Sequence, residues 1–430
     1  MNILLIGSGA REHALARALK KSPQATRLFC FASNINPGIV PLCDSFLPSN
    51  LGDIEAMVKF AENHAIDLAI IGPEAPLALG VVDRFKAMGI QCIGPTKQLA
   101  QIETSKGFTR DLLSKHIVPG MPAYQRFEGI SDATQNFLTT LGDNYVIKAD
   151  GLMGGKGVKV AGEHLHSHEE ALAFCREING PFVIEEKLFG PEFSLISFSD
   201  GTHCAHMPAV QDHKRAYEND TGPNTGGMGS YSDANHSLPF LTEQDIAEAH
   251  AINEATVKAL KTEFNELYQG ILYGGFMRTP NGVKLIEYNA RFGDPEAINL
   301  LALLESDFVA LCQAIVNGTL TQDLAQFSHE ATVVKYIVPE GYPDKPVKNQ
   351  MVDISAIERP KNLYFAAIDQ QDSHLIMTGS RAIAVLGQGD TLAQAEQHAE
   401  QLASQIKGPV FYRQDIGTQA LIDQRLAMVS

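Results

Sequence analysis

A glycine-rich turn joins two apolar strand patterns in the stretch Val146-Ile147-Lys148-Ala149-Asp150-Gly151-Leu152-Met153-Gly154-Gly155-Lys156-Gly157-Val158. Four glycines in seven residues exceed what a hairpin needs, so we expect a flap whose N–H groups fold over a polyphosphate, with Lys156 adding charge. Lys148 lies inside the first strand, where burial of its ammonium group is costly unless it meets an anion. The turn lacks the G-x-x-x-x-G-K-[ST] spacing of a Walker A loop. The alternative interpretation is a surface lysine beside a flexible turn.

The elements around this turn predict a small α+β lobe over residues 123–190. Strand and helix patterns follow one another there at Val146–Ala149, Val158–Val160, Glu169–Ile178 and Phe182–Glu185. A predicted helix, Ser105–His116, precedes the lobe. It leads to Pro119-Gly120-Met121-Pro122, which we expect to act as a hinge.

Residues 1–102 predict a doubly wound parallel sheet, because short apolar runs alternate with helical patterns. The strand runs are Ile3–Ile6, Leu28–Phe31, Leu68–Ile71 and Gln91–Ile93. Ligands on such sheets collect at the carboxyl ends of the strands, where the loops Gly7–Arg11 and Gly72–Pro76 fall.

The Gly7-Ser8-Gly9 turn follows the first strand and opens a helix. It is either a phosphate site at a helix N-terminus or a purely structural tight turn. Glu12 stands where a dinucleotide fingerprint has its third glycine, so the turn does not predict NAD binding.

The remaining chain predicts the rest of a central domain, residues 103–328, and a third domain, residues 329–430. The central part carries strands at Glu192–Phe198 and Val283–Tyr288 and helices at Glu243–Lys261 and Glu296–Asn317. From 329 the patterns become mostly strands, at Ala331–Val338, Tyr364–Ile368 and Ala382–Leu386, and end in a helix from Thr391. The fold class is therefore a multidomain α/β and α+β protein.

Composition narrows the classes of function. The 34 Lys and Arg against 50 Asp and Glu give a net charge of −16, which disfavours nucleic-acid and anionic-membrane binding. The six cysteines lie far apart without C-x-x-C spacing, which favours reduced thiols in a cytoplasmic protein. The sequence predicts neither a signal peptide nor a membrane span.

Charged residues and glycines are dense between Gln211 and Gly229. Gln211-Asp212-His213-Lys214-Arg215 is followed by Asp220-Thr221-Gly222-Pro223-Asn224-Thr225-Gly226-Gly227-Met228-Gly229. Asp212 can bind an ammonium group, Lys214 can meet a carboxylate or phosphate, and the loop N–H groups can line an oxyanion. A solvated charge run before a flexible loop is the alternative.

The segment Glu287-Tyr288-Asn289-Ala290-Arg291-Phe292-Gly293-Asp294-Pro295-Glu296 ends a strand and opens a helix. Residues i and i+2 of a strand share a face, so Glu287 and Asn289 present two hard oxygens to one ion. Mg²⁺ favours such a pair, with phosphates and water completing the octahedron. Arg291 can hold a phosphoryl oxygen. A half-exposed strand is the alternative.

Glu185 and Glu186 end another apolar strand. Backbone groups just past them can hold a base, and Glu192 can accept ribose hydroxyls. Paired acids on a solvated edge are the alternative.

These motifs together closely resemble the phosphoribosylamine–glycine ligase family of the ATP-grasp superfamily. The resemblance runs essentially end to end and is most specific in Gly7–His13, Gly72–Leu77, Val146–Val158, Gln211–Arg215, Asp220–Gly229 and Arg291–Glu296. It implies an ATP-grasp fold of two lobes for the central domain.

The reaction implied by the resemblance belongs to de novo purine biosynthesis. ATP phosphorylates the carboxylate of glycine, and the amine of 5-phosphoribosylamine attacks the acyl phosphate to give glycinamide ribonucleotide, ADP and phosphate. The cofactor would be Mg²⁺ or Mn²⁺, and the protein would be a monomer or a weak homodimer.

The resemblance also implies the site residues. ATP would contact Lys106, Lys148, Gly151, Gly154, Gly155, Lys156, Gly157, Glu185, Glu186, Leu188 and Glu192. Glycine and the amine would meet Gly9, Arg11, Glu12, Glu74, Asp212, Lys214, Pro223, Gly226, Gly227, Met228, Gly229 and Arg291. The catalytic groups would be Arg291, Asp294, Lys214 and Asp212, and the metal ligands Glu287 and Asn289.

The chain departs from the family pattern at Ser33–Gly38, Ala366–Asp369 and Gly379–Arg381. These changes lie away from the ATP motifs, so they bear on the amine substrate more than on the ligase class. An ATP-grasp ligase with another amine acceptor is therefore a second hypothesis. A nucleotide-binding regulatory paralogue is a third, which ATP binding without phosphate release would distinguish.

Overall fold

The computed structural model describes residues 1–24, 26–152, 157–358 and 360–429. The predicted nucleotide contacts Gly154, Gly155 and Lys156 lie outside these ranges. None of the helices within them is both long enough and apolar enough to cross a lipid bilayer.

The N-terminal region is a five-stranded parallel sheet of order β3-β2-β1-β4-β5, which confirms the predicted doubly wound sheet. Its strands are β1 Asn2–Ile6, β2 Arg27–Ala32, β3 Ser45–Pro48, β4 Leu68–Ile71 and β5 Gln91–Ile93. Its helices are α1 Ala10–Lys20, α2 Ile54–Asn63, α3 Glu74–Leu79 and α4 Val81–Ala87. Strand β3 was not predicted from the sequence, because it is a short edge strand with only partly buried side chains.

Strands β1 and β4 are neighbours in this sheet, so the loops that follow them lie side by side. The first loop ends at Gly9, which precedes α1, and the second ends at Pro73, which precedes α3. Both predicted ligand loops therefore lie at the same carboxyl edge, facing the central domain.

A four-stranded antiparallel sheet forms the small lobe, with strand order β6-β9-β7-β8. Helices α5 Gln101–Thr104 and α6 Lys106–Lys115 precede it. Its elements are β6 Tyr124–Phe127, α7 Asp132–Leu141, β7 Tyr145–Ala149, β8 Val158–Val160, α8 His168–Glu177 and β9 Phe182–Glu186. It has its own apolar core, which includes Leu138, Ile147 and Phe182.

The large lobe is built on a second antiparallel sheet, of order β11-β10-β16-β17. Its strands are β10 Glu192–Asp200, β11 Cys204–His206, β16 Gln269–Thr279 and β17 Gly282–Asn289, and α9 is Glu243–Phe264. The small hairpin β13 Arg215–Tyr217 and β14 Thr221–Asn224 precedes the glycine loop.

The predicted single helix Glu296–Asn317 is wrong. Two helices, α10 Glu296–Leu303 and α11 Phe308–Asn317, take its place. Leu304 adopts an extended conformation, and the Asp307 side chain accepts a hydrogen bond from Val309 N, capping the second helix. An aspartate in this position favours a helix start over a helix interior.

The largest sheet combines strands from the central and C-terminal regions in the order β12-β15-β18-β23-β20. These strands are β12 Gln211–Asp212, β15 Gly229–Ser232, β18 Ala331–Pro339, β20 Leu363–Phe365 and β23 Ile383–Gly389. The segments that flank the glycine loop therefore pair directly with the C-terminal domain.

The rest of the C-terminal domain is a three-stranded sheet, two helices and one short strand that pairs with β18. These elements are β19 Gln350–Val352, β21 Ile368–Gln371, β22 His374–Met377, α12 Leu392–Ala403, the short β24 Val410–Phe411 and α13 Gln419–Ala427. The predicted strand Tyr364–Ile368 is wrong as one element, because its residues belong to β20 and β21 in different sheets. The predicted terminal helix ends at Ala403, and α13 follows it.

Candidate active site

A pocket at the junction of the lobes brings together residues that are far apart in sequence. It is lined by Glu192, Phe193, Ser194, Asp212, Lys214, Tyr273, Gly275, Ile286 and Glu287. Four of these residues were singled out from the sequence: Glu192, Asp212, Lys214 and Glu287. The fold therefore places the acid of β10, the charged end of β12 and the acid of β17 around one space.

Lys214 lies between two carboxylates in this pocket. Its Nζ is 3.6 Å from Glu192 Oε2 and 3.8 Å from Glu287 Oε1. Burial alone would lower the pKa of Lys214, but the charges of the neighbouring carboxylates outweigh it and raise the pKa. Burial alone would raise the pKa of Glu287, but Lys214, Lys148 and Lys106 lower it. Both groups are therefore charged at neutral pH.

Glu287 and Asn289 are the two predicted metal ligands, and they lie two positions apart near the end of β17. Asn289 Oδ1 also accepts a hydrogen bond from Arg291 Nη2 at 3.3 Å. An ionised carboxylate and an amide oxygen are hard donors that suit Mg²⁺ or Mn²⁺. Within the described ranges, no group of three or more His, Cys, Asp or Glu is arranged to hold a metal. The donor set thus fits an ion that takes its remaining ligands from a nucleotide and water.

Lys148 meets an anion inside the protein, as its position in an apolar strand requires. Its Nζ is 2.7 Å from Glu185 Oε2 and donates to Ile286 O at 3.2 Å. Arg110 donates to both oxygens of the same carboxylate, at 2.7 and 3.0 Å. Burial alone would raise the pKa of Glu185, but Arg110 and Lys148 lower it to about 2. Both oxygens of the Glu185 carboxylate are therefore occupied by these two cations.

The base of the glycine flap is tied to the start of α6. Ser105 Oγ donates to Asp150 Oδ2 at 2.9 Å, and Lys106 Nζ donates to Gly151 O at 3.0 Å. On the far side of the flap, Ala149 N donates to Gly157 O at 2.8 Å. Lys106 therefore contacts the flap directly. Burial and the nearby positive charge of Lys148 lower the pKa of Lys106.

The segment after β9 leads from the small lobe to the pocket. The Glu186 carboxylate accepts a hydrogen bond from Ala123 N at 3.0 Å, and Lys187 N donates to Asn144 O at 3.0 Å. Leu188 is partly buried and Glu192 is exposed at the start of β10. The Glu185 carboxylate is already occupied, which leaves the backbone beyond Lys187 N as the part of this segment that can meet a base.

Asp212 Oδ1 is buried and has no hydrogen-bond partner among the residues that the structure describes. Burial and the nearby Glu296 carboxylate raise the pKa of Asp212. Tyr273 OH donates to Glu296 Oε1 at 2.7 Å and lies 2.6 Å from Ser194 Oγ. An orphaned carboxylate oxygen beside a second acid is costly unless a cation enters the space. The group therefore predicts a site for an ammonium ion.

Gly227 approaches this ammonium site and Gly226 lies against Arg381, whereas the other predicted loop residues lie elsewhere. A side chain at Gly227, which has φ +113, would place its Cβ 2.7 Å from Asp212 Oδ1 and 2.7 Å from Pro295 Cδ. Met228 is fully buried in the core. A Cβ at Gly229 would lie 2.2 Å from Val334 O, so this glycine is needed for strand pairing. Pro223 is part of the β13–β14 hairpin.

Arg381 of the C-terminal domain holds the glycine loop, a role that the sequence did not reveal. Its Nη1 donates to Gly226 O at 2.6 Å, to Gly227 O at 2.9 Å and to Asp294 O at 2.9 Å. The guanidinium also lies over the Tyr336 ring, 4.5 Å from its centroid. Tyr336 OH in turn donates to Asp294 Oδ1 at 2.6 Å.

Arg291 is held between two acids from the N-terminal half. Its Nη2 is 2.9 Å from Glu103 Oε1, and its Nε is 3.4 Å from Glu74 Oε2 without hydrogen-bond geometry. Glu103 Oε2 also accepts from Ala290 N at 2.7 Å. Burial alone would lower the pKa of Arg291, but Glu103 and Glu74 raise it. The guanidinium is oriented by these acids and keeps its buried Nε available for another acceptor.

The Glu12 side chain contacts both loops at the carboxyl edge of the parallel sheet. Its carboxylate accepts from Gly9 N at 2.6 Å and from Arg11 Nε at 2.6 Å. A Cβ at Gly72 would lie 2.1 Å from Glu12 Oε1, so this loop also requires a glycine. Arg11 Nη1 donates to Phe292 O at 3.1 Å, which links the N-terminal domain to the β17–α10 segment.

Sequence analysis missed Arg110, Glu103, Tyr273, Tyr336 and Arg381 as members of the site. Each of them contacts a residue of the predicted motifs from an element that is distant in sequence. No local spacing in the sequence therefore indicates its role. A charged side chain within a helical pattern, such as Arg110, gives a weak signal because most such residues are solvated.

Three family models match the chain in succession. They are the N domain of phosphoribosylglycinamide synthetase over residues 1–103, its ATP-grasp (A) domain over 104–297 and its C domain over 332–419. The matched ranges together cover most of the sequence.

Curated relatives match the chain over nearly its full length. A phosphoribosylamine–glycine ligase from Methanocaldococcus jannaschii is 49% identical, covering 99% of this chain and 98% of that protein. A protein of the same name from Methanocella arvoryzae is 44% identical, and the match covers 99% of this chain and 98% of that protein.

Solved structures share the architecture. The crystal structure of a phosphoribosylamine–glycine ligase from Thermotoga maritima has a TM-score of 0.82 at 27% identity, covering 96% of this chain and 100% of that chain. The biotin carboxylase domain of Hydrogenobacter thermophilus 2-oxoglutarate carboxylase, crystallised with MgADP, has a TM-score of 0.68 at 15% identity, covering 100% and 93%. At that identity the second likeness concerns the fold alone.

Proposed function

The chain belongs to the phosphoribosylamine–glycine ligase family, and we propose that its cleft performs the family reaction through a glycyl phosphate intermediate. That reaction is the ATP-dependent ligation of glycine to 5-phosphoribosylamine in purine biosynthesis, and the family uses ATP and a divalent metal ion. A free carboxylate is a poor electrophile because its leaving group would be oxide. Phosphorylation of glycine supplies a better leaving group.

ATP would lie between the small lobe and β17. Lys106 contacts the flap at Gly151 O, and Lys148 lies in the strand that leads into it, so their charges can neutralise phosphate oxygens. Entry of the phosphates would also give Lys148 a second anionic neighbour. Adenine would contact the backbone after Glu186 and the Leu188 side chain, with Glu192 near the ribose. Gly151 and Gly157 are the predicted flap glycines that lie within the described ranges.

Glycine would lie with its ammonium group at Asp212. The unpaired Asp212 Oδ1 supports this placement, because an ammonium ion would satisfy it and offset the repulsion from Glu296. Lys214 and the Gly226 N–H would hold the carboxylate for phosphorylation, whereas the Gly227 N–H donates to Thr225 Oγ1 at 3.0 Å. The close approach of Gly227 to Asp212 and Pro295 leaves little room for a substrate side chain.

Glu287 and Asn289 would hold the metal ion, for which we propose Mg²⁺, with Mn²⁺ as a substitute. Such an ion neutralises phosphate charge and orients the γ-phosphoryl group when it is bound. In the protein itself, Lys214 keeps the Glu287 carboxylate ionised, and Arg291 orients the Asn289 amide.

Phosphoribosylamine would enter from the N-terminal domain. Gly9 and Asp294 lie close together, since a Cβ at Gly9 would be 3.5 Å from Asp294 Oδ2. The backbone at Gly9 and the Arg11 side chain would meet the phosphoribosyl group, supported by Glu12. Arg291, with Glu74 beside it, would stabilise the acyl phosphate while Asp294 orients the amine.

The orphaned Asp212 oxygen beside Lys214 is the observation that carries this assignment. It is tested by measuring ADP release with glycine, freshly generated phosphoribosylamine, ATP and Mg²⁺, each omitted in turn. We expect ADP release to require all four. Folded protein that releases no ADP with the complete mixture would contradict the proposal.

A second candidate is a ligase of the same fold with a different amine acceptor. It rests on the atypical segment Ser33–Gly38, where Asn36 Nδ2 donates to Phe365 O at 2.7 Å and to Ser8 O at 2.8 Å. These bonds bring this segment against the Gly7–Arg11 loop and against the residue that precedes the atypical Ala366–Asp369. Screening amines with glycine fixed distinguishes the two candidates, because only the second gives a faster rate with another amine.

The site implies small-molecule substrates, and we propose that the protein works in the cytoplasm as a monomer or weak homodimer. All six cysteines are free thiols, which fits a reducing compartment. Light scattering across a concentration series would test the oligomeric state.

A further inference from the structure

A second cavity lies on the opposite face of the large-lobe sheet from the active site. Ser194 lines the active-site pocket, and the next residue of β10, Leu195, lines this cavity. Successive side chains of a strand point to opposite faces, so the two spaces are separated by the sheet. The cavity measures about 600 Å³, within the range of roughly 300–1,000 Å³ that is typical of small-molecule sites. We call it the histidine cavity, after four of its lining residues: His206, His236, His250 and His329.

Its walls carry two pairs of parallel imidazole rings. The rings of His206 and His250 have centroids 3.9 Å apart and an interplanar angle of 5°. Those of His236 and His329 are 4.3 Å apart at 11°. The rest of the lining combines apolar side chains, among them Leu195, with polar ones such as Ser237 and Gln322. The cavity therefore offers flat aromatic faces beside both apolar and polar groups.

Several ring nitrogens in the cavity are unused. His236 Nε2 donates to Ser328 O at 2.9 Å, and His329 Nδ1 donates to Ala234 O at 3.2 Å. Each bond fixes the tautomer and leaves the other nitrogen as an acceptor. The imidazole ring of His250 has no hydrogen bond within the described ranges. Both ring nitrogens of His206 are hydrogen-bonded, one to Ser197 and the other to Glu254. Three imidazoles can therefore bond to a ligand.

The electrostatics of the histidine cavity disfavour an anion. None of the described residues that line it is Lys or Arg, and Glu243 is the one lining carboxylate among them. Burial lowers the pKa of His206 to about 4 and that of His250 to about 4, so both are uncharged at neutral pH. A phosphate would thus lose its hydration without gaining a cation.

The arrangement also disfavours a metal ion. Parallel stacked rings direct their in-plane lone pairs side by side, so they do not converge on one ion. Within the described ranges no cluster of three or more metal-ligating side chains has the required spacing.

From these contacts we infer that the histidine cavity binds an uncharged, flat nitrogen heterocycle of nucleobase or nucleoside size. Its ring would stack on the imidazole pairs, and its N–H groups would donate to His236 Nδ1 and His329 Nε2. Asn235 and Gln326, which are exposed at the cavity, offer further polar groups. The histidine cavity is separate from the site of the proposed reaction. Its occupancy in the large lobe would follow the concentration of such a compound.

The test is calorimetric titration of the full-length protein with adenosine, in the presence of saturating MgADP so that the nucleotide site is filled. We expect one further equivalent of adenosine to bind. AMP, which adds only a charged phosphate to the same base and ribose, should bind at least about fivefold more weakly. Absence of adenosine binding at millimolar concentration, or equal binding of AMP, would overturn the inference.

Two variants locate the binding. His250→Ala removes one ring of the inner stack, and His329→Ala removes an exposed ring whose loss leaves the core intact. Each should weaken adenosine binding by about fivefold or more, because each removes a stacking surface, and His329→Ala should keep the wild-type rate of ADP release. His374→Ala, at an exposed position of β22, is the matched control and should bind normally. Unchanged affinity in both cavity variants would refute the site.

Discussion

Arg381 Nη1 donates a hydrogen bond to the carbonyl oxygen of Gly226 at 2.6 Å, although 155 residues separate them. The same nitrogen bonds to Gly227 O and Asp294 O. One guanidinium of the C-terminal domain thus fixes the turn proposed to bind glycine and the aspartate proposed to orient the amine. A planar fork of donors suits this task better than an ammonium group does.

Arg381→Lys is expected to keep the charge but lose part of this hydrogen-bond set. Hydrogen bonds to charged groups contribute about 1.5–3 kcal/mol, so kcat/KM for glycine should fall by about 10- to 100-fold. Steady-state kinetics with glycine as the varied substrate measure the change. Arg27→Lys, at an exposed ion pair with Asp44, is the control. A variant with wild-type KM and kcat would show that Arg381 does not position the loop.

Gly227→Ala is expected to impair glycine binding through a steric clash. The new Cβ would lie 2.7 Å from Asp212 Oδ1 and from Pro295 Cδ, in a backbone conformation of φ +113. Displacing a reacting group by about 1 Å can cost about 100-fold, so we expect a loss of that order in kcat/KM for glycine.

Gly89→Ala is the matched control for that substitution. Its φ of +80 imposes similar backbone strain, but a Cβ there meets nothing within 4 Å. Gly89→Ala should lower the thermal midpoint without changing the kinetics. Equal kinetic losses in the two variants would mean that backbone strain, and not contact with Asp212, explains the effect.

Glu287→Gln is expected to abolish turnover while the fold is retained. It removes the ionised oxygen proposed to bind the metal, and we expect the rate of ADP release to fall by at least about 100-fold. Titration with Mn²⁺, followed by electron paramagnetic resonance with ADP present, measures the ion directly. Glu266→Gln, at a half-buried position after α9, should bind Mn²⁺ normally. Undiminished Mn²⁺ binding in Glu287→Gln would exclude this residue as a ligand.

Glu185→Gln is expected to destabilise the protein in a pH-dependent way. Arg110 and Lys148 lower the folded-state pKa of Glu185 from 4.5 to about 2, so its ionised form contributes ~3 kcal/mol to the free energy of unfolding. This contribution is complete above about pH 4.5 and is lost as the pH falls towards 2. Urea unfolding at several pH values should show a less stable variant at pH 7 and a flatter profile below 4.5. Identical pH profiles would contradict the prediction.

The sequence was sufficient to predict the parallel sheet, the two-lobed central domain and the acids and cations around the pocket. Motifs such as Gly7–Arg11 and Gln211–Arg215 gather glycines or charged residues within a few positions, so their spacing marks them as candidate site segments. Helix continuity at Leu304 was predicted wrongly because an apolar pattern does not show where a buried helix breaks. The start of the second helix is set by the Asp307 side chain, which caps it.

The supporting contacts could not be predicted, because they depend on how distant elements pack. Glu103 bonds to Ala290 N across the domain boundary, and Tyr336 reaches Asp294 from another strand of the shared sheet. The residue-by-residue roles in substrate binding remain predictions, including the flap glycines Gly154 and Gly155, which lie outside the described residues.

The sheet shared by β12, β15 and β18 has a consequence for protein synthesis. Strands that flank the glycine loop emerge from the ribosome about a hundred residues before their partner β18, and Arg381 follows later still. A nascent chain that stops before β18 would expose an unpaired strand edge and hold an unformed amino-acid pocket. The proposed activity would thus be acquired only after β18 and Arg381 have been synthesised, so a product that ends before them would not consume ATP.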